Sequence, residues 1–132
     1  MAQAIAKQKV VSMGLEKTIK VDSAGLKVLT GDRINPKAKI ALKKLGINLT
    51  SRKSKQIELD KIKPNDLVIT TTKAQKSFVN LPNCFCVFDF VGQEISDPFG
   101  LDQNAYDKTA SQLDFAIDRI LKRLTGGVKW FI

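Results

Sequence analysis

The sequence predicts an α/β fold: a small parallel sheet of four strands with helices on both faces, built by residues 1–132 as a single domain. Short β-branched or apolar runs alternate with helical patterns along the chain, which is typical of parallel strands joined by right-handed crossovers. The chain of 132 residues has the usual size of one domain. Its 43% apolar and 27% charged residues are an ordinary globular balance.

The first half of the chain predicts two helices with one strand between them. Residues 1–13 carry an apolar stripe typical of a helix, with Gln3 outside that stripe. Residues 17–21 predict a short strand. A second helix begins at Pro36, a favoured first-turn residue, and stops at Gly46.

The second half predicts two further strands and the longest helix. In chain order these elements are a short helix at 57–62, a strand at 66–71, a helix from Thr72 through Phe78, a strand at 84–90 and a helix through Leu124. The run at 66–71 is β-branched with an apolar centre, which suits a strand covered on both faces. In the last helix, apolar residues at i, i+4, i+7, i+8 and i+11 from Leu113 form a core-facing stripe.

The net charge of +9 admits an anionic partner. Part of the excess is concentrated in one stretch, in Lys43, Lys44, Arg52, Lys53 and Lys55. Nucleic acid is a candidate because phosphate neutralisation supplies affinity without sequence reading. However, aromatic residues do not interleave with these cations and no nucleic-acid motif is present. A solvated basic face is therefore the favoured interpretation, and nucleic acid is not an expected partner.

The two cysteines, Cys84 and Cys86, predict small buried side chains of a protein in a reducing compartment. They lie one residue apart on the same face of a predicted strand, so they are not expected to bridge each other. No histidine exists to complete a zinc site or a Cys-His pair. We therefore expect no metal and no cofactor. The sequence shows no signal peptide and no apolar run of membrane-spanning length, which predicts a cytoplasmic protein with no membrane partner.

The stretch from Ile95 to Gly100, Ile-Ser-Asp-Pro-Phe-Gly, is the most informative loop. Pro98 biases Asp97 toward an extended backbone and fixes its own φ, and Gly100 permits a turn. The Asp97 carboxylate is thereby displayed at the carboxyl end of a strand, where open α/β sheets place their ligands. Taken alone, the Asp-Pro pair also fits a simple turn.

Several motifs in order make the chain resemble the low-molecular-weight protein tyrosine phosphatases, whose bacterial members include protein arginine phosphatases. The matching segments are Met1-Ala2-Gln3-Ala4-Ile5, Val21-Asp22-Ser23-Ala24-Gly25, Pro36 through Ile47, Ser51-Arg52, Asp66-Leu67-Val68-Ile69 and Asp97-Pro98-Phe99-Gly100. Phe99 after Asp-Pro, with Tyr106 before the last helix, is closer to bacterial members. The resemblance covers residues 1–124.

The resemblance implies phosphate monoester hydrolysis in two steps, through a cysteinyl-phosphate, on proteins carrying phosphotyrosine or phosphoarginine. Asp97 would be the general acid that protonates the leaving oxygen and then accepts a proton from water. Ser23 would steady the phosphate loop, and Phe99 would line the substrate entrance. Inorganic phosphate would be a further ligand.

The chain departs from this family at the nucleophile. The family's loop has the form Cys-x5-Arg, but Phe90 follows Cys84 at that spacing and Gly92 follows Cys86. The family's loop and first strand come before the helix that here begins at Met1. The sequence therefore predicts a chain without the catalytic cysteine and arginine, and inactive by itself.

The missing strand is central in the family, so something else must fill its place. Residues 128–132, Val-Lys-Trp-Phe-Ile, have the apolar character of that strand. One hypothesis is that they supply it, as in a circular permutant; the alternative is a frayed tail. A non-catalytic phosphate- or phosphoprotein-binding module is the alternative function, with a basic nucleic-acid binder less favoured.

Overall fold

A computed structural model describes residues 1–26, 34–49 and 55–125, without the side chain of Thr125. Its helices are α1 (Ala2–Ser12), α2 (Pro36–Lys44), α3 (Lys73–Val79), α4 (Phe88–Val91) and α5 (Gln103–Thr125). Two strands, β1 (Val68–Thr70) and β2 (Cys84–Cys86), form a parallel pair, and a 3₁₀ turn spans Leu59–Lys61. The α/β class and the parallel pairing predicted from the sequence are confirmed.

The sheet of the described residues has two strands, fewer than the four predicted. No strand forms at 17–21, where a turn leads into backbone without ladder hydrogen bonds. A strand exists only where a neighbour supplies its hydrogen bonds, and no ladder partner for this segment lies in the described ranges. Only a single parallel bridge, between Gly25 and Gln56, follows it. The predicted strand at 128–132 lies outside the described residues.

The strand predicted at 84–90 is also shorter than expected. It ends at Cys86, and residues 88–91 turn into the short helix α4. The cause is Asp89, whose carboxylate accepts a hydrogen bond from the backbone N–H of Cys86 at 2.9 Å. This local bond draws the chain into a helical turn and overrides the strand-like composition of the segment.

Two apolar clusters hold the helices together. The larger one joins α1, α2, β2 and α5 through buried side chains that include Ile5, Leu42 and Ala116, none with measurable exposure. The smaller cluster packs Tyr106 and Ala110 of α5 against Ala38 and Ala41 of α2, with Met1 at its border. Small residues at these positions let the two helices approach closely. The clusters fix the start of α5 beside the start of α1.

The helix ends are set by local sequence signals. Asn35 caps α2, its side chain accepting from the N–H of Lys37 at 2.8 Å, with Pro36 in the first turn. Thr72 caps α3 in a reciprocal box with Gln75. No helix in the described part of the chain is long and apolar enough to cross a membrane.

Candidate active site

The loop that carries Asp97 is held at both of its ends. Before it, the N–H of Ile95 donates to the carbonyl of Thr71 just past β1, at 2.9 Å. After it, the N–H of Leu101 donates to the carbonyl of Pro98 at 2.9 Å, closing a turn. Gly100 has φ +80°, a conformation that other residues rarely adopt. The loop is therefore fixed to the carboxyl end of β1.

Within this loop, Asp97 and Phe99 face solvent while Pro98 is buried. The Oδ1 atom of Asp97 accepts the backbone N–H of Phe99 at 3.0 Å, which restrains the carboxylate. The Phe99 ring is 78% exposed.

Tyr106 follows the Asp97 loop in the first turn of α5 and is only 4% exposed. Burial raises the pKa of its phenol above the ordinary tyrosine value, and the negative charge of Asp97 raises it further. The loop that carries Asp97 leads directly into this helix. Tyr106 also packs in the cluster that Met1 borders, so Asp97 lies on the side of the fold where α1 begins.

Ser23 reaches the same end of α1 through Gln3. The Ser23 hydroxyl donates to the Gln3 carboxamide oxygen at 2.7 Å, and the Gln3 amide nitrogen donates to the Val21 carbonyl at 3.5 Å. Gln3 is 7% exposed, so the prediction that it lies outside the buried stripe is wrong. The segment 21–25 covers that face of α1, and its polar groups pair with the carboxamide.

A polar tether joins the Asp97 loop to α2 and α5. The ammonium of Lys37 donates to the Leu101 carbonyl at 2.7 Å, and the Gln103 amide donates to the Lys37 carbonyl at 3.0 Å. Gln103 also donates to Asp107, which pairs with Lys44. Hydrogen bonds from these two partners, Lys44 first, hold the pKa of Asp107 below its usual range. The loop is thus restrained from the α2 side as well.

The cysteines occupy a different environment, on β2. Both are buried and free. Burial raises the pKa of the Cys84 thiol, an effect that the charge of Lys76 only partly offsets. A thiol with a raised pKa carries little thiolate at neutral pH and is a poor nucleophile. The interpretation of these residues as small core side chains fits this environment.

The beginning of α1 thus brings together Met1, which borders the cluster of Tyr106, and Gln3, which holds Ser23. The start of an α-helix offers unpaired backbone N–H groups and a partial positive charge, both of which favour an anion. The roles given to Asp97, Ser23 and Phe99 from the sequence stay predictions, and sequence reasoning missed Gln3 as the hydrogen-bond partner of Ser23. It noted Tyr106 only as a family marker, although a single tyrosine one turn into the last helix was a usable signal.

Comparison with known proteins identifies the family. A family model described as low molecular weight phosphotyrosine protein phosphatase matches residues 1–129. A low molecular weight protein-tyrosine-phosphatase of Acinetobacter johnsonii is 23% identical over 96 residues, 68% of each chain. The chain belongs to the low molecular weight phosphotyrosine protein phosphatase family.

Solved structures share the fold. A low molecular weight protein tyrosine phosphatase from T. tengcongensis is similar with a TM-score of 0.81 and 27% identity, covering 92% of this chain and 88% of the other. The YwlE arginine phosphatase from Geobacillus stearothermophilus gives 0.78 and 26%, covering 95% of this chain and 83% of the other. The relatives thus include a tyrosine phosphatase and an arginine phosphatase.

Proposed function

We propose that this chain carries the proton-donor side of a phosphatase site acting on phosphotyrosine or phosphoarginine proteins, with Asp97 as general acid. One observation carries this proposal: an exposed carboxylate, restrained by the N–H of Phe99, lies on the loop that leads into α5, whose first turn packs Tyr106 in the cluster that Met1 borders. A phosphoryl group at the helix start would present its leaving group to this carboxylate. Asp97 would protonate that group, then accept a proton from the attacking water.

The neighbouring residues have supporting roles in this proposal. The exposed Phe99 ring forms one wall of the entrance and packs against the stem of the phosphorylated side chain. Ser23 does not reach the phosphate itself; its bond to Gln3 fixes the segment 21–25 against the first turn of α1. This contact would support a phosphate loop entering that turn.

We further propose that these 132 residues alone do not hydrolyse phosphoesters. Neither cysteine has an arginine at the family spacing, since Phe90 and Gly92 occupy those positions. Catalysis of phosphoryl transfer comes mostly from positioning and from stabilising charge around phosphorus. A general acid without a nucleophile and an arginine cannot supply those contributions.

Hydrolysis of p-nitrophenyl phosphate tests the proposed inactivity, and any turnover would also test the role of Asp97. The purified chain should show no turnover above buffer, and Asp97→Asn should not change that rate. The matched control is Asp60→Asn, which alters an exposed aspartate on the 3₁₀ turn. Turnover by the wild-type chain that Asp97→Asn abolishes and Asp60→Asn preserves would contradict the proposed inactivity while supporting the role of Asp97. Turnover that is insensitive to Asp97 would contradict both.

The alternative is a non-catalytic module that binds phosphate or phosphoproteins. The start of the 11-residue helix α1 favours it, since that end meets the Ser23 segment and lies on the side of Asp97. Titration with inorganic phosphate, followed through the amide resonances of residues 2–5, tests this function. Saturable shifts that α2 amides do not share would support it, and their absence at millimolar phosphate would exclude it.

Partners and compartment follow from the same proposal. A phosphorylated protein is the expected partner. The two buried free thiols suit the reducing cytoplasm, where we place the protein. Nucleic acid is not favoured, because Lys44 pairs with Asp107 and Lys55 pairs with Asp22. Salt-dependent retention on DNA, lost on charge reversal of Lys43 and Lys44, would be needed to support it.

A further inference from the structure

An open cavity of about 250 Å³ lies between α5 and the segment 91–95 that follows α4. On the helix side it is lined by Lys108, Gln112 and Phe115, which share one stripe of α5 at i, i+4 and i+7. Phe115 comes about two and a half turns after Tyr106, so it projects from the opposite side of the helix. The cavity is therefore separate from the smaller apolar cluster, where Tyr106 packs.

The wall opposite α5 is built from the alternate residues Val91, Gln93 and Ile95. The N–H of Ile95 donates to the Thr71 carbonyl at 2.9 Å, which holds this wall against the carboxyl end of β1. Glu94 does not line the cavity; its carboxylate accepts the N–H of Lys73, at the start of α3, at 2.6 Å. The one acidic side chain of this wall segment is therefore directed to another helix.

Among the described residues, the lining of the cavity carries positive charge and no carboxylate. Lys108 is exposed, and none of the ion pairs in the described ranges includes it. The guanidinium of Arg119 lies 5.4 Å from the centre of the Phe115 ring and adds a second cation beside the lining. Asp114 of the same helix pairs with Lys9 of α1 instead, at 3.0 Å. An anion that enters the cavity would therefore meet cations without a competing carboxylate in the lining.

The rest of the lining suits a small, flat, apolar body. Ile95 and Phe115 supply apolar walls, and Phe115 is 56% exposed although its side chain is large and aromatic. The neutral polar groups are one hydroxyl and two carboxamides, from Ser111, Gln93 and Gln112. Small-molecule sites combine apolar walls with a few polar groups that fix the orientation of the ligand. Because about 250 Å³ is just below the usual size of such sites, the ligand must be small.

We propose that this cavity binds a small aromatic carboxylate, with its ring against Phe115 and its carboxylate at the ammonium of Lys108. The apolar walls account for the ring, and the lysine without an acidic partner accounts for the charge. An open site of this size makes few contacts, so a ligand such as benzoate should bind with a dissociation constant on the order of 1 mM. This binding does not depend on the role proposed for Asp97.

Titration of the full chain with benzoate, followed through its backbone amide resonances, tests the site. We expect saturable shifts in residues 91–95 and 108–115. Benzamide has the same ring without the charge and should bind about threefold or more weakly. The proposal would be overturned by equal affinities for the two compounds, or by benzoate shifts centred on residues 2–5 of α1. It would also be overturned if no saturable shift appeared at benzoate concentrations about tenfold above the expected constant.

Three variants assign the parts of the ligand to side chains. Lys108→Met keeps an apolar stem but removes the charge, so it should weaken benzoate about threefold or more and leave benzamide unchanged. Phe115→Ala should weaken both compounds, because both lose the contact of their ring. The matched control is Lys39→Met, at an exposed lysine of α2, which should change neither affinity. Equal losses of benzoate and benzamide in Lys108→Met, or a loss of benzoate in Lys39→Met of the same size, would overturn the proposal.

Discussion

The bond between Gln3 and Ser23 gives a quantitative test of how the site is assembled. The Gln3 carboxamide is 7% exposed and accepts the Ser23 hydroxyl at 2.7 Å. A hydrogen bond of this kind contributes about 1 kcal/mol net to stability. Ser23→Ala should therefore lower the free energy of unfolding by about 1 kcal/mol. Gln3→Ala should lower it by about 2 kcal/mol, because buried packing is lost as well.

The double variant isolates the bond itself. Since Gln3→Ala already removes the partner of Ser23, the two changes together should cost about 2 kcal/mol rather than about 3, a coupling of about 1 kcal/mol. Guanidinium unfolding followed by far-ultraviolet circular dichroism measures each value. The matched control is Gln3→Ala with Thr18→Ala, since Thr18 bonds the Leu15 carbonyl at 3.1 Å and shares no partner with Gln3. A Gln3–Ser23 coupling below about 0.3 kcal/mol, equal to that control, would refute the reasoning.

Two further predictions concern stability away from the site. Thr72→Ala should lower the free energy of unfolding by about 1 kcal/mol in the same assay, because it removes the side-chain cap that accepts from the N–H of Gln75. Thr72→Ser keeps a capping hydroxyl and should retain most of this stabilisation. Equal losses in the two variants would contradict the capping role. Hydrogen bonding to Lys122, with a smaller effect of Lys9, lowers the pKa of Asp118. A carboxylate whose pKa is lowered by folding stabilises the fold at neutral pH. This stabilisation is lost as the pH falls through the folded-state pKa. Asp118→Asn should thus lower the free energy of unfolding at pH 7 by less than about 1 kcal/mol and leave it unchanged near pH 2. Unfolding measured at both pH values tests this. An equal loss of stability at both would contradict the role given to the Asp118 charge.

The elements with strong local signals could be predicted from the sequence. The long stripe that starts from Leu113 lies in α5, Pro36 opens α2, and Thr72 caps α3, as expected. These features depend on residues within a few positions of one another. The position of Asp97 on a turn could be predicted for the same reason, because Pro98 and its neighbours determine the backbone conformation there.

What depended on distant residues could not be predicted from the pattern. The strand expected at 17–21 needs a neighbour from elsewhere in the chain, and its own composition contains no information about whether one exists. Gln3 was interpreted as an exposed polar residue because its hydrogen-bond partners, Ser23 and the Val21 carbonyl, lie about 20 residues away. The segment 84–90 was predicted as one continuous strand because the hydrogen bond from the Cys86 N–H to the Asp89 carboxylate leaves no periodic pattern in the sequence.

The central claim is that the Asp97 carboxylate acts on Tyr106 electrostatically, at the end of the fold where α1 begins. Tyr106 is the only tyrosine in the chain, so the absorbance of tyrosinate on alkaline titration reports its pKa without ambiguity. The account predicts that Asp97→Asn lowers the pKa of Tyr106, since the repulsive charge is removed. The pKa should still stay above the ordinary tyrosine value, because burial is the larger cause. Asp60→Asn should leave the curve unchanged. Identical titrations of wild type and Asp97→Asn would contradict the placement of the acid.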